Sequence, residues 1–215
     1  ERLELYAAHL ATELTVNPQP QRGKSLVREV RKNGRDLLKS YLTLANVIRS
    51  KQTVSPAAEW FVDNFHIVEE QLIGVKRDLP SNYYHELPKL ANGELKGYPR
   101  VYAIALAIIA HTDSRLDAES LTRFLLSFQQ VAPLDMGELW AMSITLRIAL
   151  IQQLKPLAQL IVTAREKRAH SDAVADRLLE VASHSKPESL IAILNSELRK
   201  PEEFDRSFIV QLVQR

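Results

Sequence analysis

Asp63, His66 and Glu70 stand at i, i+3 and i+7, so a helix through them places two carboxylates and an imidazole on one stripe. Such a stripe could ligate a divalent metal or relay a proton. His66 and Glu70 form a plain i, i+4 pair, however, with neither an HExxH pattern nor a second histidine at ligand spacing. A hydrogen-bonded surface or interhelix pair is the simpler reading. His85-Glu86 opens like a zincin motif, but Lys89 stands where the second histidine is required, so zinc is excluded there. Tyr83, Tyr84, His85, Tyr98, Arg100 and Tyr102 crowd one stretch. Their rings and polar tips suit stacking on sugars, or equally the plugging of a core where two helices diverge. His111 and Asp113 follow the most apolar segment, and an Asp113-Ser114 turn that caps the next helix accounts for them without catalysis. Arg147 is the sharpest anomaly. A guanidinium amid apolar helical residues should meet a carboxylate, and Glu70, Asp63, Asp113 and Glu138 are the candidates.

The absences constrain function further. The chain has no GxxxxGK[ST], GxGxxG or GxSxG, and no Asp-x-Asp after a strand, so no catalytic or cofactor motif is present. Cysteine is absent, which excludes disulfides and thiolate zinc sites and fits a reducing compartment. Lys and Arg number 28 against 26 Asp and Glu, a net charge of +2, which gives no global field toward nucleic acid or an anionic membrane. The longest uncharged apolar run, Val101 to Ala110, is about half the ~20 residues a membrane-spanning helix needs. No secretory signal precedes the amphipathic start, and a chain opening on Glu1 reads as a piece of a longer protein.

These side chains must be positioned by helices. With 215 residues, 46% of them hydrophobic, and only 6 glycines, the chain can bury a sizeable core, and helical spacing recurs where period-2 alternation does not. The fold class is all-α, an irregular bundle of about eight to nine helices. A first helix runs from Glu1 to about Thr15 and stops at Asn17-Pro18-Gln19-Pro20. A second spans about Ser25 to Ser50, broken or bent at Asn33-Gly34, with Lys24, Arg28, Arg31, Lys32, Arg35 and Lys39 as a basic face. Ser55 caps a third that continues to about Leu79 along the seam Phe61, Phe65, Val68, Leu72, Val75 and Leu79. A short helix and a loop fill Tyr83 to Tyr98. Pro99 then starts an interior helix to about His111, Asp117 caps the next, and a central helix runs from about Met136 to Gln153. Pro156 kinks or restarts it, Ser171 or Asp172 caps another helix, and two short ones follow Lys186-Pro187 and Lys200-Pro201. These last pieces suit the edge of an α-solenoid, without a repeat of fixed period. The chain divides into N-terminal helices with the basic face (1–53), a helical core (54–155) and short C-terminal helices (156–215), which read together as one continuous helical domain.

The run Pro56 to Gln71 (PAAEWFVDNFHIVEEQ) resembles bacterial cyclic β-1,2-glucan synthases. Asp78-Leu79-Pro80, Tyr84 to Leu90 (YHELPKL), Gly97 to Tyr102 (GYPRVY), His111 to Arg115 (HTDSR) and Gly137 to Arg147 (GELWAMSITLR) follow in the family's order. Together they cover about Val54 to Gln153. The resemblance implies a large inner-membrane protein that polymerises glucose from UDP-glucose and cyclises the product. Its glycosyltransferase core, its membrane helices and its UDP-glucose and divalent metal lie further along the chain. This segment would precede them on the cytoplasmic side, with the remaining domains of the same polypeptide as its partners.

Three functional readings follow. The first is a non-catalytic helical domain that packs on, or organises, a glucan-polymerising enzyme. The second makes His66, Tyr84, His85, Arg100, His111, Asp113 and Arg147 part of a glucan or UDP-glucose site, within a functional or buried polar cluster that also holds Asp63, Glu70, Glu86 and Glu138. The third is a scaffold that docks a partner or an anionic membrane through the basic face.

Overall fold

The computed structural model describes residues 2–17 and 23–184. Among them are eight α-helices and no strand, so the fold is all-α. The helices are α1 (Arg2–Glu13), α2 (Leu26–Arg49), α3 (Pro56–Asp63), α4 (Phe65–Asp78), α5 (Ser81–Glu86), α6 (Arg100–His111), α7 (Ala118–Val131) and α8 (Met136–His184). Two isolated antiparallel bridges, Val16 with Leu90 and Lys89 with Pro99, stitch the segment after α5.

The chain forms two compact units. One comprises 1–41 and 63–157, the other 42–62 and 158–215. The first is centred on α6, in which eight of twelve residues are buried, including Val101, Ile104, Ala105 and Ile108. Each large aliphatic chain so buried contributes roughly 1.5–3 kcal/mol relative to exposure. Phe124 and Phe128, one turn apart on α7, are fully buried, and α1 packs on that helix through Tyr6 against Phe124. Asp117 caps α7 by accepting from the Ser120 N–H at 2.7 Å, as its sequence position predicts. In the second unit Leu44, Ala58, Phe61, Ala158, Val174 and Ala175 are buried.

In three helical stretches the boundaries differ from those the sequence predicts. The helix expected from Ser55 to Leu79 is two helices, broken at Asn64, whose φ of −101° and ψ of 9° leave the helical well. There the Ile67 N–H turns to the Asn64 carbonyl and the His66 ring engages the Asp63 carbonyl at 3.1 Å. Conversely, α2 is not interrupted at Asn33-Gly34: Asn33 is buried, and Gly34 leaves room for Leu72. Nor does α8 restart at Pro156 or at Ser171, whose hydroxyl donates to the Lys167 carbonyl four residues back at 3.0 Å. The short helices expected beyond 184, with their solenoid-like character, lie outside the described residues, as do Pro18 and Pro20.

Gly23 illustrates how tightly the segment before α2 is seated. Its φ is +57°, and a Cβ there would lie 2.4 Å from the Gly97 carbonyl oxygen. Gly93 has φ +74° with nothing within 4 Å of its absent Cβ. Left-handed backbone alone costs an L-residue about 1–2 kcal/mol. Gly93→Ala should therefore lose about that much in urea unfolding, and Gly23→Ala clearly more; equal losses would show that the Gly97 contact yields freely.

Candidate functional site

Among the described residues the most buried ion pair lies where α6 and α8 begin. Arg100, the first residue of α6, donates from Nε to Glu138 Oε1 at 2.9 Å and from Nη2 to Oε2 at 2.5 Å. Nη2 also donates to the Pro133 carbonyl at 2.9 Å, and the guanidinium carbon lies 6.0 Å from the Phe128 ring centroid. Glu138 is wholly buried. It belongs to a capping box: the Glu138 N–H donates to Asp135 Oδ1 at 2.7 Å, and the Asp135 N–H donates to Glu138 Oε2 at 3.2 Å. One carboxylate thus caps α8 and neutralises an arginine at the start of another helix.

A second polar knot closes α5. Lys89, 1% exposed, donates its ammonium to the carbonyls of Tyr84 at 2.5 Å and Leu87 at 2.6 Å, and lies 4.5 Å from the Tyr84 ring centroid. Burial pushes its pKa down to about 8, partly opposed by Glu86. The tyrosines nearby spend their hydroxyls on the fold. Tyr83 donates to the Gly137 carbonyl at 2.5 Å, Tyr84 to the Lys24 carbonyl and Tyr102 to the Gln152 side chain. Burial raises the Tyr84 pKa and lifts that of Tyr102 to about 12.

The residues picked out by sequence do not form one cluster. Tyr84, Arg100 and Glu138 are buried, while Asp63, His66, Glu70, Glu86, His111 and Asp113 are exposed. The Asn64 break separates Asp63 from His66 and Glu70, so the continuous stripe is lost. The His85 ring pairs with its neighbour Glu86, at 3.5 Å. His111 stacks on Tyr6 with ring centroids 3.6 Å apart, and Asp113 and Ser114 make a left-handed turn while Asp117 supplies the cap. Arg147 meets none of the four carboxylates proposed for it: Glu138 is taken by Arg100, and Arg147 Nη1 pairs with Asp78 Oδ2 at 3.2 Å. That pair is partly exposed, and the hydrogen bond from Arg77, more than that from Arg147, holds the Asp78 carboxyl below the usual range. Arg147 also borders an apolar cavity of about 430 Å³ lined by Ile67, Val68, Leu150 and Leu154. Among the described residues no group of three or more His, Cys, Asp or Glu could hold a metal ion.

Sequence reasoning missed Lys89, Asp78 and Asp135. The capping box was readable as Asp135-x-x-Glu138; Lys89 carried only the weak signal of a lone cation among Leu87, Pro88 and Leu90.

Taken together, the fold and its polar contacts define an all-helical module whose motif residues fasten helix ends to one another. It is homologous to a segment of a cyclic β-(1,2)-glucan synthase. Over 187 residues, 86% of its length, the chain is 36% identical to the cyclic β-(1,2)-glucan synthase NdvB of Rhizobium meliloti (strain 1021). It spans 6% of that protein. No family model matches the chain.

Two measurements test this arrangement. Arg100→Met strands a buried carboxylate and should cost about 3–5 kcal/mol. Arg100→Met/Glu138→Met should recover most of that loss, short by about 1 kcal/mol for the lost cap; strictly additive single losses would mean the two side chains do not act as a pair. For Lys89 the folded pKa of about 8 lies below the unfolded value near 10.5, so the unfolded state binds more protons between them. Stability should rise with pH through that window until the buried tyrosines, whose raised pKa values work in the opposite sense, reverse it above about pH 10. Lys89→Met should remove the rise, as read by melting temperature against pH.

Proposed function

We propose that this chain is a non-catalytic helical domain of a cyclic β-1,2-glucan synthase, with a structural or organising role. Polymerisation from UDP-glucose, with its divalent metal, then belongs to other parts of the same polypeptide. The observation that carries this reading is the use made of the residues in the family-like motifs. Arg100 of GYPRVY and Glu138 of GELW are spent on each other and on a helix cap, and Lys89 of YHELPKL is spent on backbone carbonyls. Side chains committed in this way are poor candidates for a sugar or nucleotide site. The domain would sit on the cytoplasmic side of the inner membrane, attached through the remaining domains; among the described residues no helix is long and apolar enough to cross a membrane.

Arg147 provides the test, because it combines motif membership with partial exposure. In the full-length synthase Arg147→Met, which keeps an aliphatic stem beside the cavity that Leu150 and Leu154 also line, should leave glucan synthesis within about twofold of wild type. Arg147→Ala should lower the melting temperature by an amount worth about 1 kcal/mol and change turnover little. A stable, correctly folded Arg147→Met enzyme that makes no glucan would overturn the structural reading.

A further inference from the structure

All six cations of the basic face, from Lys24 to Lys39, are exposed. Lys24 lies 5.1 Å from the Tyr98 ring centroid, and Asp36 pairs with Lys155 at 2.7 Å. Arg28, Arg31 and Arg35, at i, i+3 and i+7, remain exposed on one side of the helix. Lys76 of α4 joins them across a cleft within the first unit.

The cleft has two adjoining chambers that share Val27, Arg31 and Lys76. The wider, about 790 Å³, is bordered by Arg28, Arg31 and Lys76 together with the polar side chains of Ser81, Asn82 and His85. The narrower, about 240 Å³, has walls of Val30, Leu38, Leu72 and Val75 with Arg31, Arg35 and Lys76 at its edge. Among the described residues no carboxylate lines either chamber. Glu29, the acid beside Arg28, lines neither chamber and adds to burial in raising the pKa values of Tyr98 and Tyr102. Leu38 is 41% exposed although it lines the apolar chamber. Clustered cations without acids call for an anion, and an open apolar slot beside them calls for a hydrocarbon chain on the same molecule.

We infer that this cleft binds an anionic phospholipid, with the phosphate among Arg28, Arg31 and Lys76 and the start of an acyl chain between Leu38 and Leu72. A soluble phosphate shares the headgroup chemistry but leaves the apolar chamber without an occupant. Charge complementarity therefore locates the ligand, and the slot selects an amphiphile.

The test is co-sedimentation of the 215-residue chain with vesicles of phosphatidylcholine containing phosphatidylglycerol, and of phosphatidylcholine alone, at about 0.1 M salt. The chain should pellet only with the mixed vesicles. Arg31→Gln/Lys76→Gln should lower partitioning about thirtyfold, since two basic contacts are lost. Arg2→Gln/Arg115→Gln removes the same charge at exposed positions outside the cleft and should leave binding within about threefold. Leu38→Asn, which keeps every charge, should weaken it about fivefold. Absence of wild-type binding to mixed vesicles overturns the inference, as does an equal loss in both double variants or wild-type binding by Leu38→Asn. Binding of inorganic pyrophosphate in calorimetry without vesicle binding assigns the cleft to soluble phosphates and equally overturns it. Unchanged melting temperatures of the variants separate these outcomes from unfolding.

Discussion

The first compact unit depends on a single buried carboxylate. Glu138 sits in the first turn of α8, where the helix dipole favours negative charge and where its side chain can return to the Asp135 N–H. Arg100 sits at the first position of α6, where a cation is disfavoured by the same dipole. Bringing the two together offsets the cost at Arg100 and leaves Glu138 with donors on both oxygens. Such a pair contributes little net stability over an apolar replacement, but its geometry admits only one alignment of the two helix starts. Among the described residues every fully buried side-chain nitrogen or oxygen has a partner, as this economy requires.

The segment between α5 and α6 extends the same logic through backbone groups. The Arg100 N–H donates to the Pro88 carbonyl at 2.9 Å, the Leu90 N–H to the Tyr98 carbonyl at 2.9 Å and the Gly97 N–H back to Leu90 at 3.0 Å. The Asn17 and Ala91 N–H groups tie this loop to the chain beyond α1. Lys89 then gathers the carbonyls left open at the end of a helix too short to satisfy them itself. A buried ammonium is costly, and its depressed pKa is the measure of that cost. The loop is thus irregular in conformation yet bonded throughout, which is why its aromatic residues serve as struts between the segments it joins.

Helix existence was legible in the sequence because burial repeats with the helical period. The seam from Phe65 to Leu79, the apolar run of α6 and the Asp117 cap all follow from local spacing. Helix ends were less legible where two local rules compete. Asn64 carries no strong breaker signal, yet the chain leaves the helical well there; Pro156 carries a strong one, yet α8 continues. The polar partners were the least legible. Arg147 was rightly expected near a carboxylate, but Asp78 lies on another helix, and nothing in the spacing of either residue distinguishes it from Glu70 or Asp63. Glu138 was named as a candidate for the wrong arginine, since Arg100 reads as part of an aromatic loop until the loop is folded.

The basic residues show the same separation between a property of sequence and a property of space. Six cations between Lys24 and Lys39 make a face on paper, but a face binds only where its charges lack internal partners and converge. Lys24 leans over the Tyr98 ring, and Asp36, bound by Lys155, also acts on Lys32 and Arg35. Convergence comes from Lys76, which the sequence separates from the group and the packing of α4 restores to it. The near-neutral charge of the whole chain conceals this. Interior ions that are fully paired hold the helices in place, whereas exposed ones that converge over an apolar slot present a chemistry the fold itself does not consume.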